Sequence, residues 1–212
     1  MFFPSKNSQL GSAIYAVVAL TLGFGVLFVS LARASLQIWA FEDTEHQLRT
    51  KPIEFVITHS DGSTESGNYK LPEIKTLPTS PLYGVKTARN YLWMSLTRGQ
   101  IDKGKMALLI ADKKMTEAQI LIETGKSKSG LESSADAIDK LKYAYTVIRD
   151  AKSDDIERDQ LKSQIIKAGH AYAEVIKKSE SKLTEDNNAE YEKIIKDLEK
   201  WNEEREQEKM GI

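Results

Sequence analysis

The stretch Leu77-Pro-Thr-Ser-Pro-Leu-Tyr-Gly-Val-Lys86, LPTSPLYGVK, lies between a hairpin-like region and an unbroken helical pattern, and its reading decides the fold. Ser80 suits an N-cap, because its hydroxyl can accept a hydrogen bond from an orphan amide of the first helical turn. Pro81 then falls at the first helical position, where its fixed φ suits a helix and its missing N–H costs nothing. Pro78 keeps the approach extended. Beyond it Leu82, Val85, Ala88, Leu92 and Leu96 recur at helical spacing, a stripe expected to face a core. Ser80, Pro81, Leu82 and Tyr83 therefore read as a helix start, a rigid hand-off from ribbon to bundle.

Downstream, the helical period continues. A second helix is expected from about Ile101 to Thr124, stopped by Gly125 at a natural C′ position. Its stripe is Gly104, Ala107, Leu108, Ala111, Met115, Ala118 and Ile122, with small residues that admit a close neighbour. Ser127-Lys-Ser-Gly130 reads as a loop. A third helix, Leu131 to about Lys152, carries Leu131, Ala135, Ile138, Leu141, Tyr145 and Ile148. A fourth follows a Ser153 cap, with Leu161, Ile165, Ala168, Tyr172 and Val175 inward. Four amphipathic helices with short connections predict an antiparallel bundle over residues 76–183.

Residues 184–212 differ. Tyr191, Ile194, Ile195, Leu198 and Trp201 form a narrow stripe on a helix otherwise rich in Glu and Lys, with pairs such as Glu192–Lys196. The 3, 4, 3 spacing of Tyr191, Ile194, Leu198 and Trp201 is a seam of about two heptads, too short to stand alone. It needs a surface, either its own bundle or a helix from another chain.

Upstream, residues 52–75 read as a β-hairpin. Ile53, Phe55 and Ile57 alternate with Glu54, Val56 and Thr58, and Ser60-Asp61-Gly62-Ser63 supplies the turn. Two strands alone are marginal in water, so the ribbon must pack on the helices. Residues 35–51 form a juxtamembrane linker, with Trp39 and Phe41 where aromatic rings favour the interface. From Ala13 to Ala32 the chain carries no charge over twenty residues, enough to span a bilayer core, and residues 13–34 are expected to be a transmembrane signal anchor after a leader at 1–12. Ala32-Arg33-Ala34 also resembles a signal-peptidase site, but the run is longer than a signal peptide uses. A third reading is prepilin-like cleavage after Gly11, where the position expected to hold glutamate is Ala16. Ser12, Ala16, Ala19 and Gly23 fall on one face and suit close packing of membrane helices. Lys6 precedes the span while Arg33, Arg49 and Lys51 follow it, so charge counting leans weakly against export; long domains translocate largely regardless of such charges.

This order of features resembles a bacterial domain family of unknown function found in secreted and membrane-anchored proteins. The resemblance is carried by Leu77, Pro78, Ser80, Pro81, Leu82 and Tyr83, then by Ala111, Lys114, Glu117, Ala118 and Leu121, with Thr124 to Lys126 closing the second helix. It covers roughly residues 75–175. It implies a helical module outside the cytoplasm and supplies no catalytic residues.

Charge is nearly balanced, 30 basic against 31 acidic residues, so no global field marks a nucleic-acid binder. Zero cysteines exclude a disulfide framework, a zinc–thiolate site and a thiol nucleophile. His46, His59 and His170 are scattered; His170 and Glu174 stand one turn apart, a surface pair rather than half a metal site. Asp154, Asp155, Glu157 and Asp159 suit a helix N-terminus and lack calcium-loop spacing. Neither a phosphate loop nor a nucleophile elbow is present. Tyr143, Tyr145 and Tyr172, beside Lys140 and Lys142, read as bundle core and rim.

The expected fold class is mainly α, with an N-terminal transmembrane helix, a short β-hairpin, an antiparallel helical bundle and a long charged C-terminal helix. The expected role is a membrane-anchored, extracytoplasmic scaffold or interaction module, not an enzyme, single-pass in the bacterial cytoplasmic membrane and without a cofactor. Its expected partners are the lipid bilayer and a protein partner or second copy, met through the C-terminal or the membrane helix, and not nucleic acid. The alternatives are a pilin-like filament subunit and a periplasmic sensor or chaperone-like helical module.

Overall fold

The computed structural model describes residues 52–58, 62–74, 83–151 and 156–210, with Thr21 apart from them. The expected membrane span with Ser12, Ala16, Ala19 and Gly23, the helix start at Ser80, Pro81 and Leu82, and the Ser153 cap lie outside the described residues. Among the described residues no helix is long and apolar enough to cross a membrane. The chain divides after Leu48, and the unit Arg49–Ile212 holds the fold described below.

Period-two residues make the ribbon. Strands β1 (Ile53–Thr58) and β2 (Thr64–Tyr69) pair antiparallel, with Ile53 opposite Tyr69 and Phe55 opposite Gly67. Alternation puts Phe55, Ile57 and Tyr69 into the core and leaves Val56 outside. A Cβ on Gly67 would lie 2.5 Å from the Phe55 ring, so the glycine lets that ring cross its partner strand. At the turn, Gly62 has φ +82°, the left-handed region that glycine adopts freely.

The helical part is α1 (Tyr83–Leu96), α2 (Gln100–Glu123), α3 (Ser127–Arg149), α4 (Ile156–Ser179) and α5 (Asn188–Met210). Two short 3-10 turns, Glu180–Lys182 and Glu185–Asn187, link the last two. α2 ends as the sequence indicates. Gly125 takes φ +77°, its N–H reaches the Ile122 carbonyl at 3.0 Å, and the Lys126 N–H reaches Leu121 at 2.8 Å. That double closure satisfies carbonyls a helix end otherwise strands.

The inward stripes of α2, α3 and α4 are those read from the period, and they close on Met115, Leu131, Leu141, Tyr145, Ile148, Ile165 and Tyr172, all almost fully buried. The ribbon packs against α4. Phe55 stacks on His170 of α4, with ring centroids 5.9 Å apart.

Three expectations change. Ser127–Gly130 is not a loop but the first turn of α3. Its glycine is there for contact, because a Cβ would meet the Ala118 carbonyl at 3.0 Å and collide with the Ile122 side chain. α3 also stops at Arg149, short of Lys152. The third change concerns which helices build the bundle. α1 has no buried residue, and its predicted core stripe points away: Val85 is 67% exposed, Leu92 40% and Leu96 56%. The fourth helix of the bundle is instead the charged tail, α5.

Candidate interaction site

The tail settles where one predicted stripe goes. Tyr191, Ile194, Leu198 and Trp201 are all buried, as is Ile195, against α4 and α3. Trp201 meets Tyr145 edge to face at 5.7 Å. Gly169 on α4 makes room, since a Cβ there would lie 2.7 Å from the Trp201 ring. Lys142–Asp197 at 2.6 Å and Lys177–Glu199 at 2.7 Å fasten the rim. This stripe packs on its own chain. His170 likewise turns to Glu206 of α5, at 3.3 Å, while stacked on Phe55. Its predicted pairing with Glu174 is replaced by a cross-helix contact. Tyr145 and Tyr172 lie in the core and Tyr143 is 43% exposed at the rim.

Two buried carboxylates organise the rest, and both sit on α2. Asp112 receives the Tyr69 hydroxyl at 2.9 Å on Oδ2 and the Tyr172 hydroxyl at 2.7 Å on Oδ1. It thereby joins ribbon, α2 and α4. Burial pushes its carboxyl up to about 7, although both tyrosine hydroxyls favour the charged form. Burial, and then the neighbouring carboxylate, hold Tyr69 and Tyr172 well above the ordinary tyrosine value.

Glu117, fully buried, braces α1. Its Oε1 accepts the Tyr83 hydroxyl at 2.8 Å, Ser133 Oγ at 3.1 Å and Lys114 Nζ at 3.2 Å; Lys86 Nζ lies 3.5 Å from Oε2. Lys114 also donates to the Tyr83 hydroxyl at 2.5 Å and reaches Asp136 at 3.3 Å. Lys86 and Lys114 each stand 5.3 Å from the Tyr83 ring centroid. Burial lowers the Lys86 ammonium, with Glu117 opposing. At Lys114 burial pulls the same way, but the Tyr83 hydroxyl and Glu117 outweigh it and raise the ammonium above the usual lysine value. Tyr83 is raised by burial first, with Lys114 opposing. Of the predicted helix start, only Tyr83 falls among the described residues, and it is a fastening point.

Above this brace a groove of about 540 Å³ runs between α1 and the α2–α3 pair. Met94, Ile110, Tyr91 and Tyr143 give it apolar walls, and Lys113 and Lys140 stand at its margin. Glu117 accepts from side chains on α1, α2 and α3, so the arrangement holds a helix and shapes a surface. Among the described residues no group of three or more His, Asp or Glu is placed to hold a metal ion.

The family model for a domain of unknown function, DUF5667, matches residues 75–210. The chain belongs to this family. No curated protein and no solved structure matches the chain. The DUF5667 stretch takes in helices α1 to α5 and extends past residue 175, where the resemblance in the sequence ends. The ribbon precedes the DUF5667 match, so Asp112 ties the domain to a segment outside it. Sequence reading passed over Asp112 and Tyr69. The available signal was an aspartate directly after the apolar run Ala107–Ala111, one step from the buried face.

Proposed function

We propose that this DUF5667 chain is a non-catalytic, membrane-anchored interaction module, held outside the bacterial cytoplasm, which receives a protein partner in the groove between α1 and the α2–α3 pair. The groove carries the reading. It is roomy, apolar along its walls and edged by lysines, and a buried carboxylate fixes its depth by bracing α1. Concave apolar surfaces with a few placed polar groups are where binding concentrates. The uncharged run Ala13–Ala32 supports the anchor. Burial of the α5 stripe moves the expected partner surface from the tail to this groove.

The test is site-specific photo-crosslinking in intact membranes. A photoreactive residue replacing Met94 should give an adduct of one discrete mass, absent when the same residue replaces the exposed Lys193, and lost when Tyr143→Ala is added. Equal adducts from both positions, or none from Met94, would remove the groove as the binding face.

A further inference from the structure

Among the described residues nothing covers the outer face of α1. Val85, Ala88, Leu92 and Leu96 follow one another at steps of 3, 4 and 4, so they form one continuous stripe, and all are exposed. The opposite face carries Tyr83, Asn90 and Met94 toward α2 and the groove. From Tyr83 to Gly99 the ionic residues are Lys86, Arg89 and Arg98, with no acid among them. A helix of this kind, apolar on one side, bearing Tyr91 and Trp93 and followed by the exposed Arg98, has the composition of one that lies in a membrane interface.

We propose that α1 rests on the anionic surface of the bilayer that anchors the chain, with its outer stripe at the acyl boundary and the exposed Arg98, just past its C-terminal end, at the headgroups. The proposal rests on the anchored reading above. A second copy fits poorly, because residues 83–99 of its own α1 segment offer no acid to meet Arg98. An acidic protein would satisfy the charge, but the bilayer has the advantage of tethering. The linker at 35–51 can extend to at most about 60 Å, which keeps the domain at high effective concentration beside the membrane. One short stripe is a weak membrane signal alone and becomes effective as the second of two.

The experiment uses the full chain reconstituted in vesicles, either zwitterionic or containing anionic phospholipid. Leu92→Cys and, as a control, Ser129→Cys carry a fluorophore, and the lipids carry a nitroxide quencher; both positions are exposed and the native chain has no cysteine. Flotation with the vesicles reads anchoring, and quenching reads docking. The expected result is flotation of every variant, with quenching at Leu92→Cys at least about twofold above the control in anionic vesicles and reduced by Arg98→Glu or by high salt. Flotation with equal quenching at both positions overturns the docking and leaves the anchor standing. Failure to float overturns both. A label at position 92 that becomes shielded as protein density rises, without lipid quenching, assigns the stripe to a second copy and overturns the proposal.

Discussion

At the scale of single residues, the most consequential groups are the two carboxylates on α2. The bracing role of neither was legible in the sequence, because their partners are distant along the chain: Tyr69 is 43 residues from Asp112 and Tyr172 is 60, while Tyr83 is 34 from Glu117. Asp112 makes a signed prediction. Its carboxyl moves from 3.8 to about 7 on folding, so the folded state holds the proton more tightly than the unfolded chain. Its contribution is most favourable at low pH, falls as pH rises from about 4 to about 7, and is level above that, a loss on the order of a few kcal/mol. Asp112→Asn keeps an acceptor for Tyr172 and a donor toward Tyr69. Denaturant melts of this variant should lose the Asp112 share of the decline across that range; an unchanged pH profile would mean that Asp112 is ionised in the fold. Glu117→Ala strips one buried acceptor from Tyr83, Lys114 and Ser133. It should cost about 2–4 kcal/mol. Hydrogen exchange should also show α1 amides losing protection while those of α3 and α4 keep theirs. Equal loss everywhere would show that Glu117 supports the bundle as a whole.

Among the elements, periodicity proved a reliable guide to which residues share a face and a poor one to what that face meets. Ala107, Ala111, Met115 and Ala118 are buried as their spacing indicates. Val85, Leu92 and Leu96 keep the same spacing on α1 and face outward, because the inner side of that helix is fastened by Tyr83 and Lys86 through Glu117. The tail misleads in the opposite sense. Its Glu and Lys content suggests a solvated helix, yet the stripe from Tyr191 to Trp201 fills a trough that Gly169 keeps open. Turn chemistry was legible at Gly125, where φ is positive, and misleading at Gly130, where glycine serves a close helix crossing. Two substitutions separate these roles. Trp201→Ala should destabilise the fold by about 3–5 kcal/mol, whereas Leu92→Ser should change it by less than about 1 kcal/mol. A costly Leu92→Ser together with a mild Trp201→Ala would reverse the assignment of core and surface. Deleting Asp186–Ile212 should collapse the thermal transition, since it removes the fourth helix of the bundle; a preserved melting temperature would make α5 an accessory.

At the largest scale, the helical domain is stabilised by its own tail and braced to a ribbon through Asp112, and α1 turns one face to a groove and keeps another that nothing covers among the described residues. A module of this build is useful where it is displayed, and its place rests on the uncharged run at residues 13–32. The absence of native cysteine makes that placement directly testable. Single cysteines at Ser8 and at Ser129 are exposed to a membrane-impermeant thiol reagent in intact cells. The account predicts labelling at Ser129→Cys and none at Ser8→Cys until the cells are opened; labelling at Ser8→Cys alone, or at Ser129→Cys only after lysis, would contradict it.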